Sequence, residues 1–152
     1  MIDKQNLGQK AASLLLKGFN CSQSVLLTMF GHWEIKDELV PRIATGFGGG
    51  IGRCGSVCGA LTGGIMALGA KFGTGEPSAK KRLRIYEISR RFFEEFEKRN
   101  GSVLCRDLIG YNLSDPVEYE KAREDNVFQK KCAEYVKTAM VLLLEITEEK
   151  NV

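Results

Sequence analysis

The chain has 152 residues, enough for one domain with its own hydrophobic core, and its 22 basic and 19 acidic side chains nearly cancel to a formal charge of +3. That balance offers no strong field for steering polyanions, so nucleic acid is not an expected partner. Met1 to Asn6 lacks the basic region and apolar run of a secretory leader, and the longest nearly uncharged stretch, Cys54 to Ala70, is broken by glycines and shorter than the roughly 20 apolar residues of a membrane span, so a cytoplasmic protein without a span is expected.

Along the chain, Leu7, Ala11, Leu14 and Leu15 recur at helical spacing, and Gly18 follows where such a helix would end. Asn20 with Gln23 three residues on has the form of a capping box, predicting a second helix with Cys21 in its first turn and Val25, Leu26 and Met29 along it. Gly31 and His32-Trp33 close that helix, and Asp37 to Thr45 reads as a short third one with Pro41 near its start. From Gly46 to Gly55 the chain is too rich in glycine for regular helix and reads as a tight loop.

Ser56 then suits the cap of a helix in which Leu61, Ile65, Leu68 and Phe72 share one face, with Cys58 in its first turn. After a break from Gly73 to Pro77, Ile85, Ile88, Phe92 and Phe96 mark a long amphipathic helix that ends near Asn100-Gly101. Ser102 is the expected cap of a short turn holding Cys105 and Leu108, closed by Gly110, and a loop follows through Asn112, Ser114 and Pro116. Phe128, Cys132, Val136, Ala139, Leu143 and Ile146 trace the inward face of a last helix from about Asp125 to Glu148. No strand pattern competes, so residues 1–152 read as one all-α domain, a bundle of about five to six helices with a glycine-rich loop.

Five cysteines in a chain with no need of structural disulfides point to catalysis or metal binding, and the odd count leaves one over, assigned to Cys54. Cys21, Cys58 and Cys105 each fall in a predicted first turn, where free N–H groups and the helix dipole favour thiolate. Thiolate is both a nucleophile and a ligand for soft metals, so dithiol–disulfide cycling and an iron–sulfur cluster or other soft metal on Cys21, Cys58, Cys105 and Cys132 both stand as readings. Against them stands the plain alternative that free cysteines are small buried apolar residues. Cys58 is the preferred nucleophile, and Arg53 is placed to offset the negative charge of a bound group. Gly59 and Gly63 strip one helix face of side chains, so that a neighbouring helix or a cofactor can approach Cys58.

Competing signals are weaker. Gly50 to Gly55 spells G-x-G-x-x-G, but no strand precedes it, and Glu76 beyond it reads as coincidence. Lys80, Lys81, Arg82, Arg84, Arg90 and Arg91 are interleaved with Glu87, Glu94, Glu95 and Glu97, the pattern of a solvated helix face. His32 sits in a turn with no spacing that ties it to a thiol. The glycine-rich face of the Cys58 helix suggests packing against a second copy, hence a homodimer.

Gly48-Gly49-Gly50-Ile51-Gly52-Arg53 and Cys58-Gly59-Ala60-Leu61-Thr62-Gly63, with Cys21 before them and Cys105 and Cys132 after, resemble the signature of the C_GCAxxG_C_C redox-active proteins across nearly the whole chain. Cys54 lies outside that pattern. The resemblance implies a small helical redox protein whose relatives include proteins described as selenoproteins and are often encoded beside transporters. A redox partner protein, or a non-catalytic module acting with a transporter or regulator, are the partners it suggests.

Overall fold

The computed structural model describes residues 3–149, and among them the only β-structure is one isolated antiparallel bridge between Val57 and Leu104. Seven α-helices carry the fold: α1 Lys4–Leu16, α2 Cys21–His32, α3 Gly59–Phe72, α4 Ala79–Asn100, α5 Cys105–Ile109, α6 Pro116–Glu124 and α7 Ala133–Glu148. The all-α expectation therefore holds, with six of these helices long and α5 a single turn.

Local chemistry accounts for most of the helix ends. Asp3 caps α1, accepting from the Asn6 N–H. Asn20 and Gln23 close the reciprocal capping box of α2, at 2.9 Å from Gln23 N to Asn20 Oδ1 and 3.1 Å from Asn20 N to Gln23 Oε1. Ser78 caps α4, and Gly101 ends it in the left-handed region.

Four expectations need correction. The helix expected over Asp37 to Thr45 is displaced to a 3-10 turn at Arg42–Phe47, because Pro41 can stand only before it. Ser56 does not cap α3: residues 56 and 57 are held extended by the bridge to Leu104, so α3 begins at Gly59 and Cys58 itself occupies the cap position. Ser102 likewise does not cap α5. Its hydroxyl accepts from Leu104 N, two residues on, and donates to Asp107, making a turn before the helix. The segment after Pro116 is the helix α6 rather than loop, with Asp115 accepting from the N–H groups of Val117 and Glu118 and Pro116 in its first turn. The last helix starts near its expected place but opens with a π turn at Phe128–Cys132 before α7.

The main core joins α1, α2, α3, α4 and α7 around Phe92, Phe96, Leu26, Met29, Leu61, Leu68 and Leu143. Phe92 and Phe96 are fully buried, each worth roughly 2–3 kcal/mol in removed apolar surface. A second, smaller core gathers Cys105, Ile109, Leu113, Ala122, Val127 and Cys132 under α5 and α6. Cys21 packs against both.

The charged face of α4 is bound to α7 by exposed pairs, Arg91 to Glu149 at 2.6 Å and Arg99 to Glu145 at 2.5 Å, which agrees with a solvated helix face. Among the described residues no helix is long and apolar enough to cross a membrane.

Candidate functional site

Helices α2 and α3 cross very closely, and the crossing sets where Cys21 stands. A Cβ at Gly63 would meet the Ser22 carbonyl oxygen at 2.4 Å, and one at Gly59 would meet Cys21 Cβ at 3.2 Å. The buried hydroxyls of α2 are satisfied: Ser24 donates to the Asn20 carbonyl and Thr28 to the Ser24 carbonyl, each at 2.8 Å, and the Ser22 hydroxyl stands 3.5 Å from that of Thr62 across the crossing. The space that Gly63 frees is therefore filled by the backbone of α2. Gly63 does not line the cavity, whereas Gly59 lines it beside Cys21. Gly64, one residue on, is covered by the Phe92 ring. These three glycines are taken up by neighbours within the chain and offer no face to a second copy.

The 57–104 bridge brings in two more cysteines. Cys58 N donates to the Val103 carbonyl and Cys105 N to the Ser56 carbonyl, each at 2.7 Å, so Cys58 and Cys105 lie on the same side of the bridge as diagonal neighbours. Cys132 arrives from the π turn, whose wider backbone re-aims one side chain within a helix. Together with Cys21 they line one cavity of about 530 Å³. Cys54 is exposed and does not line it, and neither does His32.

The glycine-rich loop forms the other wall. From Gly49 to Arg53 five consecutive residues have positive φ, between 54° and 69°, a short left-handed run knitted by bonds such as Ser56 N to the Gly50 carbonyl at 2.9 Å. Ile51 and Arg53 carry side chains in that run, a conformation that costs about 1–2 kcal/mol per non-glycine residue. A Cβ at Gly50 would meet Ser56 N at 2.6 Å and Cys105 Cβ at 2.7 Å, so the loop rests directly on Cys105. The exposed Arg53 guanidinium lies 3.8 Å from the centre of the Tyr119 ring and donates to the Tyr119 hydroxyl at 2.8 Å. This pair spans the solvent side of the cavity. Tyr135 borders it from within and donates to the Leu108 carbonyl at 2.6 Å.

Electrostatically the thiols behave differently from the reading based on helix starts. The neighbouring Cys132 thiol, then burial, hold the Cys21 thiol well above its ordinary range. The two sulfurs are neighbours without closing a well-formed hydrogen bond. Burial raises Cys58 strongly; the Ala60 and Leu61 N–H groups at the start of α3 pull the other way, too weakly to reverse it. Burial, with Cys21 adding to it, raises Cys105 to about 11. Withdrawal from water and, at Cys21, the neighbouring Cys132 thiol thus outweigh the helix N-termini, and these three thiols rest protonated near neutral pH.

The convergence itself was not legible in the spacing, and Tyr119 and Tyr135 carry no sequence signal that marks them as lining residues. Residues 19–146 match the family described as "Putative redox-active protein (C_GCAxxG_C_C)". A protein of Archaeoglobus fulgidus, titled "Uncharacterized protein", is 28% identical over 160 residues covering 99% of each chain. No solved structure matches the chain.

Proposed function

The chain belongs to the C_GCAxxG_C_C family of redox-active proteins, and from that premise we propose that it cycles between a dithiol and a disulfide formed by Cys21 and Cys132. The observation that carries this reading is the convergence of Cys21, Cys58, Cys105 and Cys132 on one cavity, with the Cys21 and Cys132 thiols in contact. Closing the bond removes two protons and two electrons, which pass by thiol–disulfide exchange to a second disulfide that leaves as two thiols. Cys21 is assigned the attack in this scheme because its residue is only half-buried and stands at the start of α2 beside Cys132, although its sulfur is itself withdrawn from water. Cys58, the preferred nucleophile on sequence grounds, takes a secondary part in this scheme because the thiol neighbouring Cys21 is that of Cys132. Cys58 and Cys105 then serve as a reserve pair across the 57–104 bridge.

Crowding of the thiols favours a second reading. Each neighbouring sulfur disfavours the next thiolate, a repulsion that a cation relieves, and four cysteine sulfurs are the donor set of an iron–sulfur cluster or another soft metal. Cys21, Cys58, Cys105 and Cys132 would hold it, and it would supply one-electron transfer. Among the described residues no three His, Cys, Asp or Glu side chains are gathered closely enough to hold a metal ion, so this second reading requires the cysteines to draw together on binding.

Anaerobic purification from iron-replete cells, followed by visible spectroscopy, iron and sulfide content and a free-thiol count, separates the two. A colourless protein that loses two thiols reversibly on mild oxidation, with Cys21 and Cys132 in one linked peptide, supports the dithiol cycle. Stoichiometric iron and sulfide, lost when these cysteines are replaced by serine, overturns it in favour of the cluster.

A further inference from the structure

Of the side chains that line the cavity, Arg53 is the one that carries a charge; the rest are the four cysteines, apolar and aromatic groups, glycines and the neutral polar Asn20, Thr45 and Gln129. No Asp or Glu faces the cavity, and Arg53 makes no ion pair with an acidic side chain among the described residues. The cavity thus has one positively charged side chain at its mouth and no carboxylate among its lining residues to balance it.

The placement is costly to the chain. Arg53 stands in the left-handed region at φ 65°, where glycine would sit without penalty, and the loop around it is largely glycine. That backbone carries the guanidinium over the Tyr119 ring, and one of its five N–H donors is spent on the Tyr119 hydroxyl, leaving a fork free for a carboxylate. The cavity volume lies within the range of small-molecule sites and is too small to admit a folded partner.

Resting on the dithiol reading above, we propose that Arg53 is the recognition residue of this cavity and that its substrate is a small disulfide bearing a carboxylate or similar anionic group. The anionic group sits on the Arg53 guanidinium, and the sulfur end points inward to Cys21. Cys21 attacks one sulfur, the substrate S–S bond breaks, and one half leaves as a thiol. Cys132 then attacks the Cys21 sulfur of the mixed disulfide and releases the second half. The two protons from Cys21 and Cys132 end on the two released thiols, so the protein is oxidised by two electrons and the small disulfide is reduced by two.

The test uses the full chain with Cys54→Ser, which removes the exposed thiol beside Arg53. Two chromogenic disulfides are compared: dithiobis-nitrobenzoate, with a carboxylate on each ring, and the uncharged dithiodipyridine. Arg53→Ala should slow the anionic reagent roughly fivefold and the neutral one by less than twofold, with Arg53→Lys retaining most of the anionic rate. With Arg53 in place, added salt should slow the anionic reagent selectively, a measurement that needs no loop variant. Equal effects on both reagents, or none on either, overturn the assignment of Arg53. If both reagents link Cys21 to Cys132 at rates indifferent to Arg53 and salt, this inference alone fails; if neither reagent yields that link, the dithiol reading fails with it.

Discussion

The thiol of Cys21, the first residue of α2, faces that of Cys132, the last residue of the π turn before α7, and this contact is the largest single influence holding Cys21 protonated. A bond between them would tie the start of α2 to the start of α7 and close a loop over most of the chain. Oxidation should therefore stabilise the fold by about 2–4 kcal/mol, read as a higher Tm for the oxidised than for the reduced protein. Cys132→Ser should abolish the difference, and Cys54→Ser should leave it intact.

The burial of the thiols also makes stability depend on pH. Cys105 moves from an ordinary value of 9.0 to about 11 in the folded state, so the folded protein holds this proton more tightly than the unfolded chain. Its contribution is whole below pH 9.0 and is lost as pH rises toward about 11, a fall of roughly 2–3 kcal/mol. Cys21 and Cys58 shift in the same direction and extend the loss to higher pH. Thermal melts of the reduced protein across this range should show Tm falling, with a smaller fall in Cys105→Ser.

Two glycines on α3 should respond oppositely to the same change. Gly63→Ala drives a Cβ against the Ser22 backbone and should cost about 2–3 kcal/mol while displacing Cys21. Gly69→Ala enters open space on the exposed side of the helix and should gain about 0.5–1 kcal/mol. Denaturant midpoints of the two variants check both signs.

Gly50→Ala combines a left-handed backbone at φ 69° with a collision against Ser56 and Cys105. The expected cost is about 3 kcal/mol. Because the loop rests on Cys105, alkylation of Cys105 under native conditions should accelerate in this variant, which mass mapping would read directly.

What could be read along the chain was what neighbouring residues decide. The Asn20–Gln23 box and the Phe92–Phe96 face are local patterns, and both stand as expected. The start of α6 was equally local, an Asp115-Pro116 signal of a capped helix with proline in its first turn that the loop-like composition around it obscured. The gathering of the cysteines is another matter. It depends on the bridge from Val57 to Leu104, on the α2–α3 crossing and on a π turn inside a helix whose apolar stripe reads as ordinary α. Reading the thiols as acidified by helix starts missed how deeply the two cores enclose them, a quantity no spacing records.

The left-handed run from Gly49 to Arg53 leaves the cavity mouth with few editable positions. Gly49 and Gly50 have no room for a side chain, since a Cβ there would strike Arg53, Ser56 and Cys105. Gly52 has room but, like its neighbours, a backbone that penalises one. Ile51 carries its side chain outside the lining, so Arg53 is the one place in the run where the mouth can be retuned for a different molecule without rebuilding the wall behind it. An engineer wishing to redirect the cavity would vary that residue and leave the thiols untouched.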